Sequence, residues 1–133
     1  MHPIVQRLVF PQFSIGMVGV IRQDDRFLVL RHTYRRRYPW GLPTGFLEHG
    51  EQPLDGLRRE IREEVGLQVE IGELLATYID FERPDLVNIV YGGRLVGGQF
   101  SASAEVSGYG LFALDDLPPI PPEQRQLLDL VGA

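Results

Sequence analysis

The stretch from Pro53 to Gly66, PLDGLRREIREEVG, constrains the fold more than any other part of the chain. Pro53 suits the first turn of a helix. Leu54, Leu57, Ile61 and Val65 recur at helical spacing and make one apolar arc of roughly 80°. Gly66 suits a C-terminal stop. A helix with one narrow apolar arc must bury it against another layer. The rest of the chain supplies a sheet for that purpose. Residues 13–21 (FSIGMVGVI) and FLVLRH from Phe27 read as two strands joined by the turn-like RQDDR, a hairpin. Residues 69–81 and 86–96 read as further strands around a turn at ERPD, and the Gly92-Gly93 pair predicts a bulge in the second. GLFAL near residue 112 reads as a short strand, and the Pro-rich LDDLPPIPP leads into a last amphipathic helix at about 122–131. The expectation is one domain over residues 1–133, an α/β or α+β sandwich with a mixed sheet and two or three helices. Residues 33–52 lack periodicity and read as a long loop, a feature that is more often functional than not in a compact domain.

The same helix carries an electrostatic oddity. Gly56, Glu60, Glu63 and Glu64 form a stripe beside the apolar arc, while Arg58, Arg59, Arg62 and Asp55 take the remaining face. Glu60 and Glu64 are like charges at i,i+4, which costs a few tenths of a kcal/mol. Carboxylates near a helix C-terminus also oppose the helix dipole. Arg59 can relieve Glu63 at i,i+4, but not all three acids. Hard divalent cations favour such oxygen clusters, and Mg²⁺ in particular bridges carboxylates to substrate phosphates. A solvated charged face is the alternative, since Glu is a good helix former.

Composition narrows the chemistry. There are no cysteines, so thiol nucleophiles, thiolate zinc sites and disulfides are excluded. All 13 cations are arginines, so Schiff-base chemistry and a lysine-bearing P-loop are excluded as well. The net charge of −5 leaves no global basic footprint for nucleic acid. An acidic protein that takes phosphates needs local arginines or a metal ion. No apolar run approaches a membrane span. The start, MHPIVQRLVFPQF, lacks the pattern of a signal peptide, and a cytoplasmic location is expected.

Residues 45–67, GFLEHGEQPLDGLRREIREEVGL, resemble the Nudix box. That pattern is Gly-x5-Glu-x7-Arg-Glu-U-x-Glu-Glu-x-Gly-U, with U a bulky aliphatic residue. Gly45, Glu51, Arg59, Glu60, Ile61, Glu63, Glu64, Gly66 and Leu67 fill every defined position. WGLP before the box and LDDLP far after it are similar to family flanks. The resemblance implies a Nudix-type α/β/α sandwich that hydrolyses a diphosphate linkage with Mg²⁺ or Mn²⁺. By matching position it implies metal ligation by Glu60, Glu63, Glu64 and the Thr44 carbonyl. It implies a supporting ion pair between Glu51 and Arg59. Relatives often add a catalytic acid from a later loop, where SAEVSGYG offers Glu105 and has Gly108 at the site of a second acid. Gly56 stands where alanine is common, which suggests close approach of a loop or phosphate, or drift.

RHTYRRRYPW, residues 31–40, is the expected substrate side. Arg31, Arg35, Arg36 and Arg37 can fork onto phosphate oxygens, and Tyr34 can stack on a base. Trp40 is expected in the core. His49 reads as incidental and Pro84 as a turn residue. Tyr78, Phe81 and Tyr91 lie on expected strands and read as core. The leading function is hydrolysis of a nucleoside di- or triphosphate or a nucleotide-linked small molecule. The rivals are a nucleotide-sensing or partner-binding module, an isoprenoid diphosphate isomerase (which generally needs a cysteine) and an RNA-decapping enzyme. Edge strands and the N-terminal segment could pair two copies into a homodimer.

Overall fold

In a computed structural model, which describes residues 10–132, strand β1 (Ser14–Gln23) lies at the centre of a seven-stranded sheet. It forms a hairpin with β2 (Arg26–His32), joined at Gln23↔Arg26. The short strands β3 (Trp40–Gly41) and β4 (Thr44–Phe46) follow, then helix α1 (Pro53–Val65). Next come the long strands β5 (Leu67–Ile79) and β6 (Leu86–Gly98), then β7 (Val106–Phe112). A single 3₁₀ turn at Leu114–Asp116 precedes helix α2 (Pro122–Gly132). The main strand order is β3-β2-β1-β6-β5, with β4 added on β1 and β7 on β2. β1 and β6 run parallel from Ser14↔Leu86 to Arg22↔Arg94, and the other pairings are antiparallel, so the sheet is mixed.

Alternation along the central strands builds two cores. Met17, Ile21, Leu28 and Leu30 point to one face and meet Leu57, Ile61 and Val65 of α1. Val18, Val20, Phe27 and Val29 point to the other and meet Leu127 and Leu128 of α2. That is why β1 reads as an unbroken apolar run: both of its faces are covered. The expected α/β/α sandwich is therefore present. Leu57 is wholly buried, as the apolar arc of α1 requires. The helix stops at Gly66, whose φ of 75° suits glycine, and whose N–H donates to the Arg62 carbonyl at 2.9 Å.

Three expectations need correction. The loop over residues 33–52 is not structureless, because β3 pairs with β2 and β4 with β1. Strands of two and three residues carry no periodic signal of their own; pairing across the fold creates them. The bulge near Gly92-Gly93 takes its extra residue from the opposite strand, since Ile71↔Gly93 is followed by Leu74↔Tyr91 on β5. β5 also ends at Ile79, which leaves Phe81 outside the strand and 68% exposed rather than in the core. Tyr91 does pack beside the α1-side core, and Trp40 packs edge-on to Phe112 at 5.7 Å beside the α2-side core. The N-terminal segment proposed for pairing lies largely outside the described residues, over 1–9.

Candidate active site

Arg59 organises the entry to α1. Its Nε donates to Glu51 Oε2 at 2.6 Å and its Nη2 to Glu51 Oε1 at 3.0 Å, a two-pronged ion pair. Such forks are among the stronger charge-assisted contacts because both bonds share one geometry. The hydrogen bonds from Arg59 hold the Glu51 carboxyl below its usual range. Glu51 Oε1 also accepts the Glu48 N–H at 3.2 Å, so one carboxylate pins the loop to the helix. Gly56 leaves room for this: a Cβ there would lie 2.7 Å from Glu51 Oε1 and 2.9 Å from Met17 Sδ. The close approach suggested for Gly56 is thus made by the loop acid Glu51.

The three helix glutamates do not behave alike. Glu60 Oε1 and Glu63 Oε2 both lean on Arg59 Nη1, at 3.1 and 3.2 Å. Glu60 also packs its side chain on the backbone of β4, where any Cβ on Gly45 would collide with it. Glu64 is half-buried and turns instead to Glu105, which sits just before β7. The Glu105 segment is tied to the end of β2 by Thr33, whose N–H donates to the Glu105 carbonyl at 2.9 Å and whose Oγ1 donates to the Ala104 carbonyl at 2.7 Å. Burial, the hydrogen bond with Glu105, and repulsion from Glu60 and Glu105 push the Glu64 carboxyl up to about 8. Gly108 pairs with Arg31 in the β2–β7 ladder and adds no acid there.

These residues fit a divalent cation by donor type and by charge. Glu60, Glu64 and Glu105 repel one another across a partly desolvated gap, and a bound cation removes that repulsion. Thr44 pairs with Val18 between the Gly19 N–H···Pro43 carbonyl and Leu47 N–H···Ile15 carbonyl bonds, so its own carbonyl is directed away from β1. Among the described residues no three acidic or imidazole side chains already converge at metal-ligating distance. Glu60 and Glu63 are instead held by Arg59 Nη1, at 3.1 and 3.2 Å.

Beside Thr44 a cleft of about 570 Å³ opens on the α2 side of the sheet. Arg35, Arg36 and Arg37 line it, together with Tyr78 and Phe81. Tyr78 and Phe81 meet edge-on at 6.0 Å. Of the other expected substrate contacts, Arg31 lies on β2, where its Nη1 donates to Ser107 Oγ at 3.1 Å, away from this lining. Tyr34 is exposed and packs edge-on to His32 at 5.5 Å, also outside the lining. The sequence reading missed the wall made by Asp80, Asn88 and the start of α2. Only the turn residues around ERPD and the Pro-rich run before α2 could have signalled it. A larger cleft of about 710 Å³, between Arg22, Arg58 and the β5 bulge, holds none of the box glutamates.

His32 is an unexpected buried base. It is 2% exposed, and neither ring nitrogen has a hydrogen-bond partner among the described residues. Burial, with the Arg35 guanidinium adding to it, pushes the imidazole down to about 4 from 6.5. The unfolded chain therefore binds this proton more readily, and stability falls as pH drops from 6.5 towards 4. A loss of roughly 2 kcal/mol over that window is expected, discounted for solvent screening. Urea unfolding at intervals from pH 7.5 to 4.5 should show this loss as the difference in slope between the wild type and His32→Leu, which cancels the opposite contribution of Glu64 common to both.

Comparison with known proteins agrees with this geometry. The model of the NUDIX domain matches residues 11–131. The chain is 33% identical over 108 residues to a MutT-like protein of Streptomyces ambofaciens, covering 80% of this chain and 68% of that one. It is 27% identical over 122 residues to an ADP-ribose pyrophosphatase of Methanocaldococcus jannaschii, covering 86% and 70%. Its fold superposes on a crystal structure of a UDP-X diphosphatase with a TM-score of 0.79 and 27% identity, over 96% of this chain and 68% of that one. With an intact box on helix α1 and a family match across nearly its whole length, this chain belongs to the NUDIX hydrolases.

Proposed function

We propose that this protein is a divalent-metal-dependent hydrolase of a diphosphate linkage in a nucleotide or nucleotide-linked small molecule, acting as one domain. The observation that carries the reading is the acidic gap between Glu64, Glu60 and Glu105, close to a residue, Thr44, that also lines the arginine cleft. Strand β4 links the two: Gly45 lies against Glu60 on the α1 side, and its neighbour Thr44 lines the arginine cleft on the α2 side. Glu60, Glu63, Glu64 and the Thr44 carbonyl would hold Mg²⁺ or Mn²⁺. When bound, such an ion neutralises phosphoryl oxygens and acidifies water.

The chain's own residues do the rest. The arginines of the cleft hold the anionic oxygens and fix the phosphorus for in-line attack. Glu64 or Glu105 accepts the proton that leaves the attacking water. As the new O–P bond forms, the bridging P–O bond breaks and the departing phosphate carries off the electron pair. Arg59 and Glu51 keep the loop and the helix in register. ADP-ribose and UDP-X in the names of relatives favour the nucleotide-linked members of this substrate class. The test is a panel of nucleoside di- and triphosphates and nucleotide-linked diphosphates, with phosphate release coupled to a phosphatase. Turnover with Mg²⁺ or Mn²⁺ should fall to background with a chelator and return when metal is restored. Turnover that ignores the chelator would sink the metal-dependent reading.

A further inference from the structure

Strand β7 is out of step with itself. Leu111 and Val106 both pack on the α1-side core, although they are five residues apart. Strict alternation would put an odd spacing on opposite faces. The ladder with β2 shows where the extra residue enters: Arg31 pairs with Gly108, and His32 pairs with Val106. Ser107 is therefore a bulge residue. Its Oγ closes on β2 by accepting from Arg31 Nη1 at 3.1 Å and donating to the Arg31 carbonyl at 3.4 Å. Bulges bend a strand and re-aim the side chains beyond them, often beside active sites. On the far side of Val106 the next residue is Glu105.

Thr33 takes hold of Glu105 on both sides. Its N–H donates to the Glu105 carbonyl at 2.9 Å, and its Oγ1 donates to the Ala104 carbonyl at 2.7 Å. Those two carbonyls belong to the two peptide planes that meet at the Glu105 Cα, and each plane moves as a unit. Fixing both planes fixes φ and ψ of Glu105, and with them the direction of its Cβ. Ser103 closes the same turn, with its N–H on the Val106 carbonyl at 2.9 Å and its Oγ accepting the Val106 N–H at 3.2 Å. Val106 is wholly buried, so the core anchors the turn at that end. The Glu105 carboxyl then meets Glu64 through a hydrogen bond. Thr33 itself is exposed and belongs to neither core. Water could satisfy the same carbonyls at an exposed turn, so the hydroxyl adds direction more than stability.

We infer that Thr33 is a positioning residue for turnover: by clamping the peptide planes on either side of Glu105, it holds that carboxylate against Glu64 at the acidic gap. The inference rests on the hydrolase reading above and adds to it a residue outside the box and outside the arginine cleft. Thr33 acts through Glu105 alone. A carboxylate on a loose turn would swing, and a misplacement of about 1 Å costs up to about 10²-fold in rate. That cost falls on kcat, because Glu105 serves the attacking water and not the groups that bind the nucleotide.

The test is a double-mutant cycle, with kcat and KM measured at saturating Mg²⁺ on whichever substrate of the panel turns over fastest. Thr33→Val removes the hydroxyl but keeps the shape and the N–H. It should lower kcat by about tenfold and leave KM within about twofold. Thr33→Ser keeps the donor and should recover most of kcat. Glu105→Gln should lower kcat by about 10²-fold. Adding Thr33→Val to it should cost nothing further, because two residues that act through one group are not additive. A thermal melt accompanies each variant, and Thr33→Ala, with the same expected loss, replaces a Thr33→Val that misfolds. Losses that multiply in the double variant would overturn the inference, as would full kcat in folded Thr33→Val or no recovery in Thr33→Ser. If Glu105→Gln keeps the wild-type kcat, Glu105 takes no part and the inference falls, while the metal-dependent reading stands. A wild type that hydrolyses nothing on the panel defeats the hydrolase reading, and this inference with it.

Discussion

Glu64→Gln should lower turnover by about 10²–10⁴-fold, the usual span for removing a positioned acid or base, while the folded protein becomes more stable. Both halves follow from one placement. Glu64 is half-buried between Glu60 and Glu105, so its charge is poorly solvated and repelled. Glutamine keeps the shape and removes the charge. In the metal-free protein, burial and its acidic neighbours push the folded Glu64 carboxyl up to about 8 from its ordinary 4.5, so its ionisation opposes folding increasingly as pH rises through that interval. The thermal midpoint of the variant should therefore exceed that of the wild type at pH 8 in chelator, and the gap should close at pH 4.5. A purely structural Glu64 would give the opposite pairing, lost stability with activity falling only in proportion. Steady-state kinetics beside thermal melts at the two pH values decides between them. Glu63→Gln, whose side chain is 60% exposed, should share the kinetic loss but not the stabilisation.

Arg59→Met should reduce turnover by about 10–100-fold and weaken Mn²⁺ binding by a similar factor, the range found for groups that orient metal ligands. The guanidinium is 17% exposed and holds Glu51 with two prongs while touching Glu60 and Glu63 with a third nitrogen. Without it, the loop carboxylate no longer fixes residues 48–51 against the helix, and two ligand candidates lose their resting position. Arg59→Lys should recover little, because an ammonium cannot reproduce the fork on Glu51. Manganese titration followed by paramagnetic resonance gives the affinity independently of substrate. Unchanged affinity with lowered turnover would move Arg59 from ligand positioning to substrate contact.

How much of this was legible before the structure depends on the range of the interactions involved. The α1 helix was readable in full, from Pro53 to the Gly66 stop, because its apolar spacing and its caps are local. The Glu51–Arg59 pair was readable through the family pattern, and Gly56 through its break with that pattern. β3 and β4 were not, because two- and three-residue strands exist only through their partners on β2 and β1. The wall of the cleft was missed for the same reason. Asp80, Asn88 and Gln124 come from three distant segments, and nothing local in any of them announces the other two. Tyr78 packs on the α2-side core as expected, but Phe81 was assigned there too because the end of a strand is weakly encoded. Two residues of drift at Ile79 decide whether an aromatic is packing or a wall.

The parallel pairing of β1 with β6 also sets the order in which the molecule can assemble. The β1–β2 and β5–β6 hairpins close over short spans and can form early. Joining Ser14 to Leu86 requires about 70 residues of chain to be gathered first, and loop-closure entropy delays that step. A ribosome-bound chain that has not yet released β6 therefore has a central strand with one bare flank, and helix α1 has only half a platform to rest on. Refolding should be limited by this late seam, with substitutions between Ile15↔Val87 and Val18↔Val90 slowing collapse into the native state more than those in either hairpin turn.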